Sequence, residues 1–324
     1  MEPLLDVKNL TVKFALREEA LTAVNDVSFT LGKGERLGLV GESGAGKSVT
    51  GFSILNLISK PGFIAGGSVM FEGKDLTTAS PEELRDIRGN RISMIFQDPM
   101  MTLNPVLTVG TQMVETLQAH ANISRKEAEE IALDKLRKVY IPSPEKRLKQ
   151  YPHEFSGGMR QRIVIAIALL TSPALIIADE PTTALDVTIQ AEIMDLLLEL
   201  CESERMGLIL ITHDLGVVSQ VTQKIAVMYA GRIVEMGATD RIVTTPSHPY
   251  TRGLLGALPE GNKCGPGRCN RLNQIPGVMP SLSDIPVGCA FNNRCDLCDD
   301  ICRTTRPLLV SKKTGGLVAC HKLD

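Results

Sequence analysis

Eight consecutive residues, Gly41-Glu42-Ser43-Gly44-Ala45-Gly46-Lys47-Ser48, follow the pattern G-x-x-x-x-G-K-[ST]. Glycines at these spacings let successive backbone N–H groups turn inward around phosphate oxygens, and a following helix adds its positive N-terminal end. Lys47 is placed to reach the β- and γ-phosphates of a nucleoside triphosphate, and Ser48 to set its hydroxyl on Mg²⁺. A glycine-rich turn can match such a pattern by chance. Here the loop lies between a strand-like run, Arg36–Val40, and an apolar-faced helical pattern over 48–58, as phosphate binding requires.

A metal-bound triphosphate needs carboxylates. Leu175-Ile176-Ile177-Ala178-Asp179-Glu180 is an apolar strand pattern ending in two of them, at the end of a strand where open α/β sheets bind ligand. Asp179 can bind Mg²⁺ directly or through water, and Glu180 can orient or deprotonate an attacking water. Two acids can also merely close a strand; after a phosphate loop that reading loses most of its weight. Three further features narrow the chemistry. Phe155-Ser156-Gly157-Gly158-Met159 precedes an apolar helix read as beginning near Arg160, and so offers a second helix N-terminus to an anion. Gln97 follows the strand pattern 92–96, and His213 follows the strand pattern 208–211.

These groups must be held by a scaffold, and the patterning indicates which. Strand-like and helix-like stretches alternate, implying an α/β fold with a largely parallel sheet and helices on both faces. Ser80-Pro81-Glu82-Glu83 reads as a helix start with a capping box, and Ser124 with Glu127 as another. Residues from about 98 to 165 read as mainly helical, inserted between strands, and a long helical pattern covers 188–202. Beyond about Thr245, Pro, Gly and Cys become frequent and the periodicity fades. The expected division is 1–245, carrying the phosphate chemistry, and 246–324, a small irregular Cys-rich domain held by something other than its core.

Composition sets the outer limits. The chain has 324 residues, 43% of them hydrophobic, enough for a sizeable core plus an appendage. A formal charge of −2, no Trp and 4% aromatics give no footprint for nucleic acid or an anionic membrane. The most apolar stretch, 163–178, is interrupted by Thr171, Ser172 and Pro173, so no bilayer-crossing helix is expected. The N-terminus lacks the basic start and apolar run of a signal peptide, and a cytosolic chain is expected.

Seven of the eight cysteines (264, 269, 289, 295, 298, 302 and 320) fall in the last 61 residues, and Cys201 stands alone. In a reducing compartment such clustering suggests metal or cluster ligation more than disulfides. Cys289, Cys295, Cys302 and Cys320 are spaced C-x5-C-x6-C-x17-C, too long for the pairs of common zinc ribbons and unlike ferredoxin runs. The spacing leaves zinc, an iron–sulfur cluster and free thiols open.

The order of phosphate loop, Gln97, Ser156-Gly157-Gly158, Asp179-Glu180, Thr183-Ala184-Leu185-Asp186 and His213 resembles the ABC ATPase family over roughly residues 4 to 260. The resemblance implies a P-loop NTPase with a RecA-like core, an antiparallel β subdomain and an inserted helical subdomain. It further implies two such domains facing head to tail. ATP on Gly41, Ser43, Gly44, Ala45, Gly46, Lys47, Ser48 and Thr50 of one chain would be completed by Ser156, Gly157 and Gly158 of its partner. By the same resemblance Phe14 stacks on adenine, Ser48, Gln97 and Asp179 serve Mg²⁺, Glu180 is the base, His213 contacts the γ-phosphate and Asp186 links the two sites. The family signature usually reads Leu-Ser-Gly-Gly-Gln. The Phe155 and Met159 flanks within Tyr151–Arg162 resemble instead the peptide-importer ATPases of the dipeptide and oligopeptide permease type.

The tail resembles the same subfamily in Ile275–Leu282, Gly288–Phe291, Arg294-Cys295 and Val318–His321. In several of its members four cysteines, here Cys289, Cys295, Cys302 and Cys320, hold a [4Fe-4S] cluster, with Zn²⁺ as the alternative. Cys298 lies inside the run and can substitute for a neighbour, whereas Cys264 and Cys269 lie outside the family pattern and read as spare thiols. The partners implied are a second, paralogous ATPase subunit, two transmembrane permease subunits and, through them, an extracytoplasmic peptide-binding protein, with this chain peripheral on the cytoplasmic face of the bacterial inner membrane. A soluble ABC ATPase acting on nucleic acid or ribosomes through a zinc-binding tail is the alternative of a different class. Paired ATPase domains, a coiled-coil insertion or a basic surface would mark it, and the sequence has none. A sensing module on an inactive ATPase is disfavoured by Asp179, Glu180 and His213.

Overall fold

The computed structural model describes residues 2–16, 19–183, 185–258, 274–312 and 315–322. Twelve strands are described: β1 (Leu5–Ala15), β2 (Ala20–Leu31), β3 (Arg36–Val40), β4 (Gly62–Phe71), β5 (Lys74–Asp75), β6 (Ile92–Ile95), β7 (Leu175–Asp179), β8 (Gly207–Thr212), β9 (Lys224–Tyr229), β10 (Arg232–Ala238), β11 (Val310–Ser311) and β12 (Leu317–Val318). The contacts divide into two compact units. One comprises residues 1–4, 31–36 and 71–211, the other 5–30, 37–70 and 212–324.

In the first unit β6, β7 and β8 run parallel, with Ile92 opposite Leu175 and Leu175 opposite Gly207. Every residue of β7 and β8 is buried. That explains their unbroken apolar runs, since a parallel strand covered on both faces has no polar face to alternate with. All elements described between Pro99 and Ala168 are helical. The helix Arg125–Lys138 turns Ala128, Ala132 and Leu136 inward at helical spacing, and the expected capping box is present, Ser124 Oγ accepting from Glu127 N–H while Glu127 Oε2 accepts from Ser124 N–H. Ser80 and Glu83 close the same box on the helix Pro81–Ile87.

In the second unit β2, β1 and β4 lie side by side in that order. The sequence reading does not single out β1 or β2, because their alternation breaks where Asn9 (φ 48) and Asp26 (φ 59) turn left-handed and bond to each other, Asn9 Nδ2 to Asp26 Oδ1 at 2.7 Å. β3 pairs with β9 in parallel, β9 with β10 antiparallel, and β12 adds to β10 with Val318 opposite Glu235. A segment read as irregular thus supplies two strands, β12 beside β10 and β11 at the edge beyond it. The helix after the phosphate loop spans Lys47–Ile54, shorter than its apolar pattern, since Asn56 has φ 50.

Candidate functional site

The second unit carries the phosphate loop between β3 and the helix Lys47–Ile54. Gly46 caps that helix at φ 97, and a Cβ there would stand 2.8 Å from the Ala23 carbonyl oxygen, so both its conformation and its neighbour require glycine. Ser43 and Gly44 are exposed at the loop tip while Gly41 and Ala45 are buried beneath it. Lys47 is 5% exposed, and its Nζ donates to the carbonyl oxygens of Gly41 (2.8 Å) and Glu42 (3.0 Å). The ammonium is therefore held across the loop, where phosphate oxygens would meet it. Ser48 follows at the first turn. Thr50, expected beside the nucleotide, is fully buried, and its hydroxyl donates to the Gly46 carbonyl at 2.9 Å, which secures the helix start. Phe14, next to last in β1, is half-exposed with its ring against Gly62. His213 is exposed just after β8, and Asp214 beside it caps the helix Leu215–Val221.

The first unit carries the carboxylates. Asp179, 4% exposed, ends β7, and Glu180 follows at φ 44, a left-handed conformation that a non-glycine residue adopts only when its surroundings impose it. Glu180 N–H donates to the Ile211 carbonyl at 2.8 Å, which fixes the backbone. Its Oε2 accepts from Gln97 Nε2 (3.2 Å) and from Thr183 Oγ1 (2.9 Å). The structure thus brings Gln97 to Glu180 and adds Thr183, whose part in holding the carboxylate the sequence reading did not assign. A hydroxyl three residues after an acid at a tight strand end was the available signal.

Ser156 is the N-cap of the helix Gly157–Ala168, accepting from Met159 N–H at 3.4 Å, so this helix starts three residues before Arg160. A Cβ on Gly158 would come within 2.8 Å of Ile189 Cγ2, which explains a glycine pair there. Ser156 and Gly157 are exposed. Phe155 is buried under the Arg147 guanidinium, 5.8 Å from its ring centre, so this flank is a packing residue. Asp186 caps the long helix Val187–Glu204 by accepting from Ile189 N–H at 3.0 Å. Ala184 lies outside the described residues.

The tail gathers Cys289, Cys295, Cys302 and Cys320. Burial first, then the neighbouring Cys302, Cys320 and Cys295, push the Cys289 thiol up to about 11, against a backbone N–H from Phe291 that opposes the rise. Cys295 is likewise raised, by burial and then by Asp296, Cys320 and Cys302, with the Leu297 backbone N–H opposing. Cys289 N–H donates to the Cys302 carbonyl at 2.8 Å, and Lys322 N–H to Cys320 Sγ at 3.4 Å. These couplings put the four cysteines in one region of the tail. Among the described residues no group of three or more His, Cys, Asp or Glu side chains forms a ready-made site for a metal ion. Cys298 directs its thiol to the Asp299 carbonyl at 3.6 Å. Cys201 is buried, which pushes its thiol up to about 12 and makes it inert. Cys264 and Cys269 lie outside the described residues.

Residues 24–183 match the model of the ABC transporter family, and residues 234–302 that of the oligopeptide/dipeptide transporter C-terminal region. The chain is 50% identical over 320 residues to a probable peptide ABC transporter ATP-binding protein, y4tR, of Sinorhizobium fredii, covering 98% of this chain and 95% of that one. It is 48% identical over 322 residues to the oligopeptide transport ATP-binding protein OppD of Haemophilus influenzae, covering 99% and 97%. Among solved structures, the dimeric ATP-binding cassette MJ0796 in a post-hydrolysis state bound to ADP and Pi is 28% identical, with a TM-score of 0.65 over 72% of this chain and 98% of that one. The fold is the ABC cassette, an α/β P-loop fold with mixed sheets.

Proposed function

Because this chain belongs to the ABC transporter family, with a C-terminal region of the oligopeptide/dipeptide transporter kind, we propose that it is the subunit whose ATP hydrolysis powers peptide import. The chain is an ABC ATPase, working with ATP and Mg²⁺. Full-length identity near one half to proteins named for peptide transport, extending through the tail, carries the import reading. It favours the importer over an ATPase acting on nucleic acid.

Lys47 and Ser48 bind the β- and γ-phosphates and Mg²⁺, with Asp179 as the second metal-side group. Phe14 stacks on the base. Glu180, already restrained by Gln97 and Thr183, takes a proton from the attacking water, and His213 contacts the γ-phosphate. Ser156, Gly157 and Gly158 complete the ATP site of a second ATPase chain, a paralogue, with Asp186 between the two sites. The partners are two permease subunits and, through them, a peptide-binding protein, which places the chain peripherally on the cytoplasmic face of the inner membrane. Among the described residues no helix is long and apolar enough to cross a membrane. Met100, Met101 and Val106, exposed just after Gln97, give a permease loop an apolar surface to cover. The ATPase domain ends near residue 245 and the extension follows.

Glu180→Gln keeps the side chain's shape and removes its basicity. In the assembled transporter it should abolish vanadate-sensitive, peptide-stimulated turnover and leave ATP binding intact; unchanged turnover would reject Glu180 as the base.

Cys289, Cys295, Cys302 and Cys320 hold a [4Fe-4S] cluster, which would tie together a segment with few buried apolar residues. Iron and sulfide analysis of anaerobically purified protein should find about four of each per chain, lost in Cys295→Ser. Stoichiometric zinc in their place would refute the cluster.

A further inference from the structure

The phosphate loop contains an acid that the phosphate chemistry does not use. Glu42 is the first variable residue of the loop, and its carboxylate sits in a segment built to concentrate positive potential on an anion. Unpaired there, it would repel the phosphates. The structure pairs it. Arg294 donates from Nη1 to Glu42 Oε2 at 2.8 Å and from Nη2 to Glu42 Oε1 at 3.1 Å, a two-pronged bond that fixes both charge and direction. The Arg294 side chain is only 6% exposed, so solvent does little to weaken the pair.

Arg294 is itself fixed from several sides. Its Nε donates to the Pro276 carbonyl at 2.8 Å, and its guanidinium lies 5.8 Å from the ring centres of both Tyr229 and Phe291. A second contact reaches the same loop residue, Glu42 N–H donating to the Tyr250 hydroxyl at 2.8 Å. Tyr250 is fully buried and packs edge-on against Tyr229. A guanidinium held this firmly can pull a loop carboxylate aside, and a lysine with one flexible ammonium cannot do so equally well.

We propose that Arg294, from the C-terminal extension, is a positioning residue of the phosphate loop: it neutralises Glu42 and draws its carboxylate away from the bound phosphates, so that ATP affinity depends on the extension. The inference rests on the reading of 41–48 as the ATP phosphate site. A competing role is purely structural, with Arg294 anchoring the extension through Pro276 and the two rings.

Titration of the full-length chain with a fluorescent ATP analogue and Mg²⁺ separates these roles, with circular dichroism and thermal melting as checks of folding. Arg294→Ala should weaken binding about tenfold, and Arg294→Lys by a smaller factor. Adding Glu42→Gln to Arg294→Ala should recover most of the loss, because the repelling carboxylate is gone. A structural anchor would not be rescued in this way. Binding of Arg294→Ala within twofold of wild type, or failure of Glu42→Gln to restore it, overturns the proposal. If Arg294→Ala does not fold, Arg294→Lys decides: affinity equal to wild type overturns the proposal, and a loss recovered by Glu42→Gln supports it. Lys47→Ala is the control. Its unchanged binding would overturn the phosphate-loop reading itself, whereas its loss of binding beside an unaffected Arg294→Ala overturns only the role of Arg294.

Discussion

At the scale of single residues, the candidate base is defined as much by what holds it as by its own chemistry. Glu180 stands at φ 44 with its backbone tied to Ile211, and a single oxygen receives hydrogen bonds from both Gln97 and Thr183. Two neutral donors on one carboxylate oxygen fix the plane of the group. Removing one donor should misplace the base without removing it. Thr183→Ala should therefore lower the ATPase rate of the assembled transporter about tenfold, in keeping with the loss of one hydrogen bond to a charged group. KM for ATP should change little. A rate equal to wild type would show that Gln97 alone suffices. Gln97→Ala removes the other donor, so the two variants together apportion the restraint.

At the scale of elements, the junction between β10 and the helix Pro249–Gly256 is built from buried polar groups. Glu235, 3% exposed on β10, accepts from the backbone N–H groups of Ser247 (2.7 Å) and His248 (3.0 Å), a carboxylate set at a helix N-terminus. His248 is 1% exposed and accepts the Tyr250 N–H on Nδ1 at 3.1 Å, which only an unprotonated nitrogen can do. Burial, then the nearby Arg252, lowers its pKa from the ordinary value near 6.5 to about 4, against a backbone bond with Ala319. The sign follows from linkage. A base whose folded pKa is depressed contributes stability that is present above its unfolded pKa and is lost as pH falls toward the folded value. Thermal melts should thus show wild type losing, between roughly pH 6.5 and pH 4, on the order of 3 kcal/mol that a His248→Gln variant does not lose. Parallel pH profiles for the two proteins would contradict the buried neutral histidine. The same junction leads through Tyr250 to the phosphate loop, so loosening it should be felt at Glu42 as well.

At the scale of the whole molecule, the candidate site residues fall into two compact units, one carrying the phosphate loop with Phe14 and His213, the other Asp179, Glu180, Gln97 and the Ser156–Gly158 helix start. Much of this was legible in the residues alone. The phosphate loop, the paired acids and both capping boxes are contiguous or three residues apart, and such features form from the local backbone whatever the rest of the chain does. The buried strands β7 and β8 announce themselves as unbroken apolar runs for the same local reason. β1 and β2 escaped because a left-handed residue in each shifts the alternation, and β12 because two residues are too few for any period. Other features belong to the tertiary structure only. Arg294 and Glu42 are 252 residues apart, and nothing near either one in sequence predicts a partner. The burial of Thr50 is likewise set by packing that the sequence does not show. The sequence by itself determined that this chain is an ATP-binding ABC ATPase and located its phosphate loop and paired acids, because contiguous backbone forms them. Only the tertiary structure decided what steadies those residues, because charge neutralisation and burial depend on neighbours that folding alone brings together.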